Sequence, residues 1–405
     1  MFYYKDIVME ISEILEYHRL ALEDGKAFPK KRFLFSQVAD AAGKHFTGIA
    51  GPRGSGKTVM LKQLALETPD SIYISLDTVK DDLFEMVKEL HENLGISSFM
   101  LDEVHFNQTY EEGLKKIYDF LDVHVTFTSS VSLALFSSAY DLSRRILIRK
   151  LYPFSFREYL YFHYDIEFPA LSIDSILKKE WNSKMFSYAD RFDSYLKGGN
   201  LPFSLDEPSP VKLLQNIVTT VIRRDIAMIG RITVPEMEII ERMLRFIGRS
   251  EVDGINYTSL SRNLNITKYK AEQYVSLLEK AFIVLRVMPK GTNVMKEPKI
   301  LMALPYRLIY RDYEDAIGPL REDFFVETML SAGKDIYYLK TRRGAKTPDY
   351  VIPSGSGDIV VEVGGKGKGY QQFKGFSQKK KIVFTHGVET RGIRRPLFTA
   401  GMIPL

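Results

Sequence analysis

Residues 51–58 read Gly51-Pro52-Arg53-Gly54-Ser55-Gly56-Lys57-Thr58 and meet the pattern G-x-x-x-x-G-K-[ST] at every fixed position. A β-prone apolar run, His45–Ala50, leads into this segment, and a helical pattern, Thr58–Glu67, leaves it. Strand, glycine-rich turn and helix are the context in which the pattern has a physical meaning. Glycine lets successive backbone N–H groups point into one concavity, where a triphosphate replaces water. The helix beginning near Thr58 adds a favourable dipole field. Lys57 is placed to reach the β- and γ-phosphates as a point charge, and the Thr58 hydroxyl to complete a magnesium shell. The nucleotide-binding set expected from this segment is Gly51, Pro52, Arg53, Gly54, Ser55, Gly56, Lys57, Thr58 and Val59, with ATP and Mg²⁺ as cofactors.

A second element lies 45 residues past Lys57. Ile96-Ser-Ser-Phe-Met-Leu101 is an apolar strand that ends in the paired carboxylates Asp102 and Glu103. In a phosphate-loop ATPase the first carboxylate holds Mg²⁺ through water and the second polarises the attacking water. Asp102 and Thr58 are therefore the expected metal-holding residues, and Glu103 and Lys57 the catalytic ones. Thr128, Ser129 and Ser130 end the next strand, either facing a γ-phosphate or capping the strand. Arg144 and Arg145 precede a fifth strand and are candidates to face a phosphate in their own chain or a neighbour's. His105 reads as a partly buried structural histidine.

Strand signals at His45–Ala50, Ser71–Leu76, Ser98–Leu101, Val123–Thr128 and Arg145–Leu151 alternate with helical stretches such as Leu83–Leu94. That alternation predicts a parallel sheet in an α/β domain. An amphipathic helix over residues 6–24 precedes it. After Pro153 the pattern is helical and aromatic. From Val234 to about Tyr313 it reads helix, helix, turn, helix and two strands, the outline of a winged helix-turn-helix. A last helix near Leu320–Ser331 is followed by strands at Ile336–Leu339, Asp349–Ile352, Ile359–Val363 and Lys381–Thr385, a small α/β unit. Cysteine is absent, which excludes disulfides, cysteine-bound zinc and thiol nucleophiles. No segment reads as a membrane span or a secretory signal, so a cytoplasmic protein is expected. Charge is uneven. Residues 340–405 carry 13 Lys/Arg against 4 Asp/Glu, and residues 1–339 carry 43 against 47, which points to an anionic partner at the C-terminal end.

The motifs in order resemble the prokaryotic AAA-superfamily ATPases whose C-terminal half was catalogued as a domain of unknown function. The resemblance rests on Gly51–Thr58, Leu101-Asp102-Glu103 and Thr128-Ser129-Ser130, then Arg144-Arg145 before Leu151-Tyr-Pro153-Phe-Ser-Phe156-Arg-Glu158-Tyr159-Leu160. Leu196-Lys-Gly198-Gly199-Asn-Leu-Pro202, Arg224-Asp225-Ile226 and Arg321-Glu322-Asp323-Phe324 follow. It covers nearly the whole chain. It implies an N-terminal helix (1–28), a phosphate-loop ATPase core (29–160), a helical lid (161–232), a winged helix (233–315) and a restriction-endonuclease-like domain (316–405). It also implies self-association.

In such an endonuclease-like domain Glu322 or Glu327, Asp349 and Glu362 would converge on a metal. The position of the expected lysine is Gly364, with Lys366 and Lys368 nearby, so a degenerate nuclease retained as a binding module is the expectation. Lys366, Lys368, Lys374, Lys379-Lys380-Lys381, Arg391, Arg394 and Arg395, interleaved with Tyr370, Phe373 and Phe376, are candidates for contact with DNA or RNA. Lys268, Lys270 and their helix are candidates for a major groove. The reading is an ATPase acting as a nucleotide-driven switch, on nucleic acid through its C-terminal domains. The alternatives are an ATP-regulated nuclease and an ATP-dependent protein-interaction module.

Overall fold

The computed structural model describes residues 11–404 apart from 42, 80, 132–141, 292–296, 340–346, 356, 366–369, 375, 377 and 379. The chain divides into two compact units, Met1–Leu151 and Tyr152–Leu405.

The first unit runs α1 (Ile11–Lys26), α2 (Phe35–Ala39), β1 (Phe46–Ala50), α3 (Lys57–Glu67), β2 (Ser71–Ser75), α4 (Leu83–Leu94), β3 (Ser98–Asp102), α5 (Tyr110–Phe120), β4 (His124–Ser129) and β5 (Ile146–Lys150). Among the described residues the strands form one sheet in the order β2-β3-β4-β1-β5, with every neighbouring pair parallel. The five strands fall within one residue of the expected runs at either end. The central strands were legible because a strand covered on both faces is mostly apolar, and Phe46–Ala50 is buried throughout. The helices between them carry local signals: Asp82 accepts hydrogen bonds from the N–H groups of Phe84 and Glu85, starting α4, and Gly95 in the left-handed region ends it. The N-terminal helix is described from Ile11, and residues 6–10 of its expected span lie outside the described residues.

Because all five strands point one way, the segments that follow β1, β3 and β4 emerge at the same edge of the sheet. The phosphate loop, Asp102-Glu103 and Thr128–Ser130 therefore share that edge.

The second unit begins with α6 (Phe156–Tyr164), α7 (Ile173–Lys178), α8 (Arg191–Ser194), α9 (Pro210–Thr220) and α10 (Ala227–Gly230). The Phe154–Leu160 motif is structural. Ser155 Oγ accepts the Glu158 N–H at 3.1 Å while the Glu158 carboxylate accepts the Ser155 N–H at 3.2 Å, a capping box that fixes the start of α6. Phe156 then packs edge-on to Phe192, Tyr195 and Phe398 in the core. Gly199 is required by proximity, since a Cβ there would lie 2.6 Å from the Tyr159 ring.

Next come α11 (Val234–Arg249), α12 (Tyr257–Leu264), α13 (Lys268–Lys280), β6 (Val284–Pro289), β7 (Lys299–Met302) and α14 (Tyr313–Ser331). The chain ends with β8 (Tyr337–Tyr338), β9 (Tyr350–Ile352), β10 (Ile359–Gly364), β11 (Lys380–Thr385) and β12 (Arg394–Pro396). The described strands form a single sheet in the order β12-β11-β10-β9-β8-β6-β7. Met288 and Pro289 of β6 pair with Tyr337 and Tyr338 of β8, so segments 233–315 and 316–405 share that sheet. A buried ion pair fixes α14 within it. Arg307, fully buried, reaches Asp323 at 2.5 Å and also donates to the carbonyls of Ile247 and Ser250 at the end of α11.

Candidate nucleotide-binding site

The loop between β1 and α3 is shaped by two glycines in the left-handed region, Gly54 (φ 79°) and Gly56 (φ 88°). Gly51 is needed for another reason: a Cβ there would sit 2.1 Å from the Leu151 carbonyl oxygen. The loop is anchored on three sides. The Gly51 N–H donates to the Ser129 carbonyl at 3.2 Å, buried Arg32 donates to the Ser55 carbonyl at 2.6 Å, and the Arg53 guanidinium lies over the Phe106 ring at 5.9 Å. Lys57 Nζ is buried and lies 3.0 Å from the carbonyls of both Gly51 and Pro52, spanning the loop's own backbone. Val59 continues the first turn of α3 behind Thr58.

Opposite the loop, Asp102 ends β3 as a buried carboxylate. The Thr58 hydroxyl donates to its Oδ2 at 2.8 Å, the Tyr73 hydroxyl from β2 donates to the same oxygen at 2.9 Å, and Thr128 donates to Oδ1. Burial, and next the charge of Glu103, raise the Asp102 carboxyl above its ordinary range, while the Thr128, Thr58 and Tyr73 hydroxyls oppose the rise. A nearby cation reverses such a shift.

The residues present fit Mg²⁺ and a nucleoside triphosphate. Thr58 and Asp102 form the hard-oxygen pair that magnesium takes. Ser55 Oγ is buried with no hydrogen-bond partner among the protein atoms, inside a loop built to receive an anion.

Glu103 directly follows Asp102 in the left-handed region (φ 53°, ψ 49°), a strained position for a residue with a side chain. Its N–H donates to Thr128 Oγ1 at 2.9 Å, and its Oε2 accepts the Ser130 N–H at 3.1 Å. Thr128 is thus committed to Asp102 and Glu103. His105, expected as a partly buried structural histidine, is buried and lies 3.3 Å from Glu103 Oε2. Tyr73 is the other contributor that motif spacing missed, since only strand order brings β2 beside β3.

Arg144 and Arg145 correct a sequence expectation. They precede β5, which runs parallel to β1 with Phe46 opposite Ile146 and Ala50 opposite Lys150. They therefore stand at the edge of the sheet opposite the phosphate loop, about five residues or roughly 16 Å away along the strand. Arg145 is ion-paired with Asp119 at 2.9 Å. Neither faces a phosphate bound in its own chain.

In the second unit Glu322, Asp349 and Glu362 do gather, with Lys299 among them. Lys299 Nζ is 2.8 Å from Glu322 and 2.9 Å from Asp253, and Tyr350 donates to the same Glu322 oxygen at 2.7 Å. Asp349 accepts the Val363 N–H at 2.8 Å. Burial, then the charges of Glu322 and Glu362, push the Asp349 carboxyl well above its ordinary range. A polar cleft of about 230 Å³ opens beside Asp253, Asn256, Lys299 and Asp349. Glu327 is not part of this cluster: it caps the Leu304 N–H at 2.6 Å. The Lys299 ammonium compensates the Glu322 charge within this cluster. Among the described residues no group of three metal-ligating side chains is arranged to hold a metal.

Several residues of the expected basic set are engaged within the chain. Arg395 donates to the Ile176 carbonyl at 2.7 Å and caps α7, Lys380 pairs with Asp174 at 2.8 Å, Arg394 pairs with Glu389 at 2.6 Å, and Lys381 donates to the Phe376 carbonyl. These side chains serve the fold. Phe373 is in the core. Lys366, Lys368 and Lys379 lie outside the described residues. On α13, Lys268 and Lys270 pair with Glu297 and Glu236, and Tyr269 between them is 69% exposed. No described helix is long and apolar enough to cross a membrane.

Residues 44–160 match the family model of an AAA domain, and residues 190–303 match a domain of unknown function (DUF8612). The chain is 27% identical to the uncharacterized protein MJ1637 of Methanocaldococcus jannaschii, over 87% of this chain and 84% of that one. Similar solved structures include the Aeropyrum pernix ORC1 protein in complex with DNA (12% identity, 80% of this chain and 97% of that one, TM-score 0.29). They also include the Thermotoga maritima RuvB Holliday junction branch migration motor (16% identity, 69% and 90%, TM-score 0.29). The family match and the parallel sheet make the first unit an AAA-type phosphate-loop ATPase domain.

Proposed function

We propose that this chain binds and hydrolyses ATP with magnesium at Gly51–Val59, Asp102 and Glu103, and that the cycle drives a switch in its C-terminal unit. The observation that carries the reading is the Thr58–Asp102 hydrogen bond at 2.8 Å, with Glu103 beside it on the same sheet edge as the loop. Thr58 and Asp102 would hold the metal, which would supply charge screening of the β- and γ-phosphates. Lys57 leaves the Gly51 and Pro52 carbonyls for the phosphates. Glu103 takes the proton of the attacking water as the bond from its oxygen to the γ-phosphorus forms. The bond from that phosphorus to the oxygen bridging to the β-phosphate breaks, and ADP leaves with the electron pair on that oxygen.

We read α11–α13 with the β6–β7 ladder as a winged helix and the segment from α14 to β12 as an endonuclease-like fold without metal chemistry. Residues 161–232 are read as the lid. The element order supports the first reading and Lys299 on Glu322 the second. Nucleic acid is the proposed ligand of this unit, with Tyr269 on the exposed face of α13 as a stacking contact.

The test is ATP turnover by the full chain with and without duplex DNA, single-stranded DNA and RNA, in rising salt. Stimulation by one polymer that fades steeply with salt supports the reading. Turnover indifferent to all three leaves an ATPase whose second unit meets a protein.

A further inference from the structure

Glu103 has to be held for its carboxylate to act, because its backbone is in a strained conformation and its side chain leaves the sheet edge. The structure shows what holds it. After Glu103 the chain makes a 3-10 turn, Val104–Phe106, which folds His105 back under the strand ends. The His105 side chain is 1% exposed. Its Nδ1 lies 3.3 Å from Glu103 Oε2 and 3.2 Å from Ser129 Oγ, and its Nε2 lies 3.3 Å from Ser130 Oγ. The ring rests on Phe106, with centroids 4.2 Å apart.

An ionised carboxylate accepts only, so a hydrogen bond from this ring to Glu103 requires the hydrogen on Nδ1, and a neutral ring with that hydrogen accepts the Ser130 hydroxyl at Nε2. Ser130 contributes twice, since its N–H also donates to Glu103 Oε2. Ser129 connects the same group to the nucleotide loop by accepting the Gly51 N–H. Both held contacts on Glu103 use Oε2, and Oε1 takes part in neither. The ring is thus tied to the carboxylate that meets the water and to the strand end that meets the loop.

We infer that His105 is a positioning residue for Glu103: with Ser130 it clamps Oε2 and sets the direction of Oε1. The inference rests on the ATPase reading above. A buried imidazole whose two nitrogens bond to a carboxylate and a serine supplies orientation, as the residue behind a general base does in other hydrolases. It contacts Glu103, Ser129, Ser130 and Phe106, so its effect is expected first in the chemical step.

The test compares two full-length variants with wild type in steady-state ATP turnover, with thermal unfolding followed alongside. His105→Phe keeps a ring on Phe106 and removes both nitrogens; His105→Asn keeps an N–H donor near the position of Nδ1. The expected result is a fall in kcat of about tenfold or more for His105→Phe at unchanged KM for ATP. His105→Asn should recover a clear part of that loss. In a Glu103→Gln background, His105→Phe should leave the residual turnover unchanged. Should His105→Phe lower the unfolding temperature, the decision passes to His105→Asn and the background experiment. Equal kcat for His105→Phe and wild type overturns the inference, as does an equal loss with and without Glu103. If wild type itself turns over no ATP, it is the ATPase reading that fails.

Discussion

The ammonium of Lys299 lies 2.8 Å from Oε2 of Glu322, joining the β6–β7 ladder to α14 in a setting where the lysine is 8% exposed. Burial alone lowers such an amine's pKa, but Glu322, then Asp253 and Asp349, overcome that and hold it above its ordinary value. Removing one partner of a buried pair leaves an uncompensated charge, so Lys299→Met should destabilise the second unit by about 3–5 kcal/mol. The double variant Lys299→Met/Glu322→Gln should lose less than the two single variants summed. Urea unfolding of the full chain measures both, and strict additivity contradicts the pairing.

That cluster shows what sequence conveys and what it does not. Glu322, Asp349 and Glu362 were legible from their places on a helix and two strands. Lys299 was not, because it is 23 residues before Glu322 and enters only through hairpin register. In the first unit the loop, Asp102 and the five strands were readable from motif and apolar runs. The contact of His105 with Glu103 depends on a left-handed residue and a 3-10 turn, which no periodicity encodes. The side of the sheet on which Arg144 and Arg145 fall, by contrast, follows from strand direction alone: in a parallel sheet, residues before one strand lie opposite the loop after its neighbour.

Gly51 tests the loop's close fit. In Gly51→Ala the new methyl meets the Leu151 carbonyl oxygen and Ser55 Oγ at 2.1 and 3.0 Å. The loop must shift, at a cost of about 1–3 kcal/mol. ATP affinity should fall by about fivefold to about a hundredfold, since 1.4 kcal/mol is a factor of ten. Calorimetric titration with ATP and magnesium measures it; unchanged affinity contradicts the fit.

Glu327 gives the second unit a pH dependence. Burial raises its carboxyl from 4.5 to about 8, the Leu304 N–H opposes the rise, and Asp323 adds to it. Between those values the folded chain keeps a proton that the unfolded chain has lost. Stability therefore falls as pH rises through that window, by at most about 1.4 kcal/mol per pH unit. Glu327→Gln can still accept the Leu304 N–H and carries no charge. It should be more stable than wild type near pH 8, with the gap closing toward pH 5. Parallel stability curves would falsify the assignment.

Asp323 tests the frame around α14. It is fully buried and bonded to Arg307 and to the Met302 N–H. Asp323→Ala strands the guanidinium and should cost about 3–5 kcal/mol. A loss below about 1 kcal/mol in chemical denaturation contradicts this pairing.

The measurement closest to the central claim is ATP binding and single-turnover hydrolysis by the full chain, wild type against Glu103→Gln and Lys57→Ala. The account predicts that Glu103→Gln binds ATP with wild-type affinity and hydrolyses it at least about a hundredfold more slowly. It predicts that Lys57→Ala loses binding. Wild-type protein that binds no nucleotide, or a Glu103→Gln variant that hydrolyses at the wild-type rate, would contradict it.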